Sequence, residues 1–202
     1  MAIVINGSTN VISGVAVGGL PDGIVDTDML ANNAVTSAKS SGLATTNGIT
    51  MADQWRMYNS QTTSADTLAD ITSWERNDNQ FSGVGSAMTN SGAEFTFPLT
   101  GIYHVSYSIS AYITSGSTRY VSPRLNFNGT DICHPWGFID HVGHQTNTTV
   151  FSQAILDVQS TTTILKIKIQ SQNPVVVIGN QEAGYNSSTN ISEVTFIRLG
   201  DT

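Results

Sequence analysis

Cysteine is almost missing from this 202-residue chain: Cys133 stands alone, so no internal disulfide can form. Stability must come from packing or from association of chains. Charge is scarce too. Asp, Glu, Lys and Arg make up 11% of the residues, against about 25% in an average soluble protein. The chain has 8 basic and 15 acidic residues, a formal net charge of −7 and no basic run. That balance argues against nucleic-acid binding, which rests on neutralising phosphates with Lys and Arg. No apolar run approaches the ~20 residues of a membrane span, so membrane insertion is not expected. The opening Met-Ala-Ile-Val-Ile-Asn-Gly lacks a basic stretch followed by an apolar one and does not read as a signal peptide. Synthesis in a cytoplasm without secretory export is the expectation.

What fills the chain instead is Thr, Ser, Asn and Gly, a neutral, hydrogen-bonding and β-tolerant surface. Two textures follow one another. Residues 1–59 are short of aromatics and rich in Gly, Asn, Ala and Thr. They hold too few large apolar residues for a core of their own, so they are expected to lie on another surface or to trimerise. Asn6-Gly7 between apolar runs is a hairpin signal. Gly18 to Gly23 is a turn cluster, and Thr27 is placed to cap a short helix carrying Met29, Leu30, Ala34 and Val35. Gln54 to Tyr58 reads as a joint.

Residues 60–202 give strand after strand, with no long helix. Over Ile102–Ile113 the alternation is strict: Tyr103, Val105, Tyr107, Ile109, Ala111 and Ile113 fall on one face, His104, Ser106, Ser108, Ser110 and Tyr112 on the other. That is period two, one face buried and one wet. Arg119–Phe127 repeats the pattern with Arg124 and Asn126 outward, and Pro123 marks it as an edge strand or a bulge. Asn128-Gly129 turns the chain. Thr149–Val158 alternates imperfectly. Thr163–Gln170 has one solvated face, where Lys166 and Lys168 read as protection of a sheet edge. With Ser73–Trp74, Phe81–Val84, Val175–Ile178 and Glu193–Leu199 the count is about eight strands, which suits an all-β sandwich or jelly roll.

One polar cluster stands out: Cys133-His134-Pro135-Trp136-Gly137-Phe138-Ile139-Asp140-His141-Val142-Gly143-His144. Imidazole and thiolate suit a transition metal, but structural zinc sites show two tight ligand pairs and this is a loose scatter. A packed-down loop is the plain reading. A binding loop is the functional one, with His134, Trp136, Phe138, His141 and His144 contacting a sugar ring or a partner protein. Catalysis has little support. There is no Gly-x-Ser-x-Gly elbow, no phosphate-binding loop, and no pattern joining Asp131, Asp140, Asp157, Glu182 and Glu193 into a carboxylate pair. No catalytic residue, metal or cofactor is expected.

Phe95-Thr96-Phe97-Pro98-Leu99-Thr100-Gly101-Ile102-Tyr103 resembles the segment before the long central strand in the globular heads of the complement first-component family, the jelly roll shared with tumour necrosis factor. The pattern there is aromatic–x–aromatic or Cys–Pro–x–x–Gly–x–Tyr. Val194–Leu199 resembles that family's closing strand. Trp74-Glu75-Arg76 and Phe196–Thr202 are also similar to bacteriophage fibre-type proteins that carry this head. Gly19–Thr36 resembles a segment recurrent in appendage proteins of marine and cyanobacterial phages. The resemblance implies a homotrimeric antiparallel jelly-roll head at residues 60–202, with Phe95, Phe97, Tyr103, Tyr107 and Phe196 in core or trimer packing. It implies a short irregular attachment region at residues 1–59, with Ile3, Ile5, Leu20, Met29 and Leu30 docking onto tail or capsid proteins. The function that follows is a structural virion protein, either a tail-fibre or short-fibre appendage contacting a host-surface glycan or protein, or a capsid decoration protein that stabilises the shell.

Overall fold

The computed structural model describes residues 4–6, 11–13, 49–76, 82–140, 146–181 and 189–201. Chain contacts divide it into Met1–Asn47 and Gly48–Thr202. In the first unit β1 (Val4–Asn6) and β2 (Val11–Ser13) pair antiparallel, with Asn6 opposite Val11. This is the hairpin expected around Asn6-Gly7. Ile5 lies opposite Ile12 in it. Ile3, Leu20, Met29, Leu30 and the capped helix after Thr27 fall outside the described residues.

The second unit is an antiparallel jelly roll, and every described element in it is a strand. In chain order these are β3 (Met51–Met57), β4 (Gln61–Thr62), β5 (Ala69–Asp70), β6 (Trp74–Arg76), β7 (Thr89–Ser91), β8 (Glu94–Thr96) and β9 (Gly101–Ile113). Then come β10 (Ser117–Phe127), β11 (Thr130–Cys133), β12 (Gly137–Asp140), β13 (Thr146–Val158), β14 (Ile164–Ser171), β15 (Val176–Val177) and β16 (Glu193–Gly200). The front sheet runs β6-β3-β16-β9-β13, with β15 beside β9 past the end of β16, and β4 beyond it. The back sheet runs β7-β8-β14-β10, with β11 and β12 sharing the far side of β10 and β5 beside β14. From β8 to β9, β10, β13, β14 and β16 each long strand crosses to the opposite sheet, which is the jelly-roll winding.

The alternation of β9 decides the core. Tyr103, Val105, Tyr107, Ile109, Ala111 and Ile113 are all buried, against Val121 and Leu125 of β10 and Leu165, Ile167 and Ile169 of β14. Phe95 is the hub of an aromatic cluster, with ring centroids 5.6 Å from Trp55, 5.6 Å from Trp74 and 5.2 Å from Phe196. Asn128 (φ 49) and Gly129 (φ 86) both have positive φ, as a two-residue type I′ hairpin requires, and they join β10 to β11.

Three expectations are corrected. The strand β3 belongs to the sandwich, so residues 51–59, assigned above to the attachment region, are part of the head. β10 and β14 are interior strands, so Lys166 and Lys168 guard no edge. Lys166 instead lies 3.0 Å from Glu94 and 3.2 Å from Asp70. Pro123 is tolerated in an interior strand because its missing N–H falls in the gap between β12, which ends opposite Val121, and β11, which reaches Leu125. Phe95, Phe97, Tyr103, Tyr107 and Phe196, expected in core or trimer packing, take the core place within a single chain, each no more than 3% exposed. Nothing of the aromatic face is left for a partner subunit to bury.

β3 is pinned by a buried carboxylate. Asp53 accepts from Arg76 Nε (2.9 Å) and Nη2 (2.8 Å), from Trp55 Nε1 (3.0 Å) and from the Met88 backbone N–H (2.9 Å). Asp53→Ala is expected to cost about 3 kcal/mol, at the lower end for a broken buried pair because Arg76 keeps access to water. A urea midpoint shift checks this, and a loss below about 1 kcal/mol would mean that the network contributes little.

Candidate binding site

Two surfaces carry side chains that folding does not explain. The first is the outer face of the back sheet. Its rows are set by register: Ser122 opposite Gln170, Arg124 opposite Lys168, Asn126 opposite Lys166. Arg124 donates from Nη1 to Asp131 (2.9 Å) and from Nη2 to Gln170 Oε1. Asn126 Nδ2 donates to the other Asp131 oxygen at 2.6 Å. Gln170 Nε2 donates to the Asp66 carbonyl (3.0 Å), and the Tyr120 hydroxyl to the Asp66 carboxylate (2.5 Å). Lys168 lies 3.4 Å from Asp70. In this lattice Ser122 Oγ and Arg124 Nε are buried and have no partner among the described residues.

Beside it stands an aromatic group. Trp136 is flanked by Tyr120 (centroids 5.7 Å apart) and His134 (5.8 Å), and is 68% exposed. Phe138, on β12, is 73% exposed. The gap opposite Pro123 is where the chain from Cys133 to Gly137 crosses, and this brings Trp136 to Tyr120. Of the predicted cluster, His134 and Trp136 lie together, Phe138 stands exposed on β12, and His141 and His144 fall outside the described residues. Among the described residues no group of three His, Cys, Asp or Glu is gathered to hold a metal. Tyr120, Arg124 and Gln170 join the site without local warning, because only the β10–β14 register brings them there.

The electrostatics are local. Burial alone would raise Asp131, but the Asn126 and Arg124 hydrogen bonds outweigh it and hold the carboxyl below its usual range. Burial pushes His134 down, the Arg124 charge adds to this, and Asp131 opposes it. The folded chain therefore takes up this proton less readily than the unfolded chain. The sign follows: stability from His134 is full above the unfolded pKa of about 6.5 and declines as pH falls through that value. Asp131→Asn is expected to lower the His134 midpoint further, since the carboxylate that favours imidazolium is gone. An NMR titration of the ring checks this, and an upward move contradicts it.

The second surface is the outer face of the front sheet. Rows of facing residues run across it: Phe151–Ser108–Glu193–Arg56, Gln153–Ser106–Thr195–Gln54 and Ile155–His104–Ile197–Ala52. Most are small or polar and tied together. His104 Nε2 lies 3.0 Å from Gln153 Oε1, and Gln54 Nε2 donates to Thr195 Oγ1 at 3.0 Å. From this flat ground Phe151 (58% exposed) and Ile155 (69%) project. The two surfaces meet where β12 lies against β13. A Cβ at Gly137 would stand 2.6 Å from Val150 Cγ2, so glycine is needed for that approach.

No family model matches the chain, and no curated protein is similar to it in sequence. Solved structures are similar in fold. The crystal structure of murine APRIL at pH 5.0 matches with a TM-score of 0.51 at 11% identity, over 74% of this chain and 98% of that one. Eiger TNF from S. frugiperda matches with a TM-score of 0.49 at 14% identity, over 75% and 93%. Together with the strand order, the APRIL match places this chain in the tumour-necrosis-factor-like jelly-roll class.

Proposed function

We propose that the chain is a non-enzymatic structural virion protein of a bacteriophage, a homotrimeric appendage whose jelly-roll head contacts the host surface. The observation that carries the self-association is the pair Phe151 and Ile155, large, apolar and exposed on a sheet face whose other side chains are mostly small or polar. Exposed apolar side chains of this size on a flat sheet face suit an association surface. Cyclic assembly would cover it in every subunit without leaving an open end. Such an assembly also brings three Met1–Asn47 segments together at high effective concentration, which suits attachment through a region with little core of its own. The phage setting rests on the Gly19–Thr36 resemblance and on the low-charge Thr/Ser/Asn surface.

The test is competition and location. Added protein should block adsorption of the phage to its host, and electron microscopy of labelled particles should place the chain on the tail or on short fibres. Intact adsorption after gene deletion, with particles that burst more readily on heating, would instead favour a capsid decoration protein attached through Met1–Asn47.

A further inference from the structure

Resting on the reading that the head contacts the host surface, we infer that the Tyr120–His134–Trp136 group is a subsite for a neutral hexopyranose. Trp136 packs near two rings yet keeps 68% of its surface in water. Exposing that much indole is unfavourable unless a ligand covers it, and the neighbouring rings fix its orientation before any ligand arrives. Pyranose rings offer a face of C–H groups that stacks on an aromatic and a rim of hydroxyls that hydrogen-bonds at its edge. The adjoining lattice supplies that rim with both donors and acceptors: the Asp66 carboxylate, Gln170, Arg124 and Asp131.

The pairing of the lattice cations favours a neutral ligand over an anion. Arg124, Lys166 and Lys168 are already paired with Asp131, Asp70 and Glu94, and the Asp66 carboxylate adds negative charge beside Trp136. Over the lattice a phosphate or uronate would meet only paired cations among the described residues, whereas a hydroxyl needs none; Arg119, exposed and next to Tyr120 on β10, is the cation an anionic saccharide would have to use. A second observation points the same way. Ser122 Oγ and Arg124 Nε are buried without a partner among the described residues, and strand alternation sets both on the side where Trp136 stands. Buried polar groups left open on the face that carries an exposed aromatic are what water held under a hydroxyl-rich ligand would satisfy.

The full chain, applied to an array of neutral hexose oligosaccharides beside uronate-containing and sulfated ones, should bind the neutral set. Trp136→Ala should weaken that binding about tenfold or more. Trp136→Phe, which keeps a ring, should recover part of it, and Leu99→Ala, at an exposed apolar position elsewhere, should change nothing. Light scattering on each variant shows that assembly is untouched. Silence on the array, preference for the anionic set, or equal binding by Trp136→Ala would overturn the inference. If the protein blocks adsorption while the array stays silent, the subsite fails and the host-contact reading stands. If saccharide binds but adsorption is unaffected, the subsite stands and that reading fails.

Discussion

Phe95→Ala is expected to lower the unfolding free energy by about 3–5 kcal/mol, the largest effect of any single core substitution in the head. Phe95 sits on β8, a strand of only three residues in the back sheet. Its ring reaches across to Trp55 on β3, Phe196 on β16 and Trp74 on β6, all in the front sheet. Truncation removes the transfer free energy of a fully buried ring and leaves a void walled by three stiff aromatics. Such walls relax little, which places the cost toward the upper part of the range. Domains of this kind are stable by about 5–15 kcal/mol in total, so the variant should be close to unfolding at body temperature. Denaturant midpoints at one fixed protein concentration give the measurement, because association also adds stability. A loss under about 1 kcal/mol would mean that the two sheets are not joined through this ring.

Phe151→Asp combined with Ile155→Asp should turn the assembled protein into a folded monomer. Both side chains stand more than half exposed on the single chain, so folding does not depend on them. Association does. Each apolar side chain covered at a contact contributes about 2 kcal/mol, and a buried unpaired carboxylate costs several more. A cyclic assembly repeats both losses at every contact. The sedimentation profile should show the monomer at micromolar concentration, with a circular dichroism spectrum like that of the parent. Leu99→Asp, at an exposed apolar position outside this face, should remain assembled. A double variant that stays assembled would move the interface elsewhere.

Much of the fold was legible in the residues. Strict alternation over Ile102–Ile113 described β9 to the face, and Asn128-Gly129 announced its hairpin. β3 was harder to see because its inward position at Asp53 is a carboxylate. The partners that make it tolerable, Arg76 and the Met88 amide, lie 23 and 35 residues away. A strand whose buried side carries a salt bridge looks, read locally, like a joint. Lys166 and Lys168 misled for another reason: one solvated face is common to edge strands and to interior strands of a two-layer sandwich, and only pairing separates them. The site was half legible. Trp136 and its histidine neighbour drew notice by composition, but Tyr120 and the polar lattice enter through register, which no local pattern carries. The imperfect alternation of β13 was visible too. Its cause, Phe151 and Ile155 on the solvent side, becomes clear only once the direction of the core is known.

This jelly-roll head is proposed to associate with copies of itself through the front sheet. Light scattering on the purified full chain tests it most directly. A homotrimer gives a particle of three times the 21.5 kDa chain mass, held across dilution through the micromolar range; a particle of one chain mass at every concentration would rule it out.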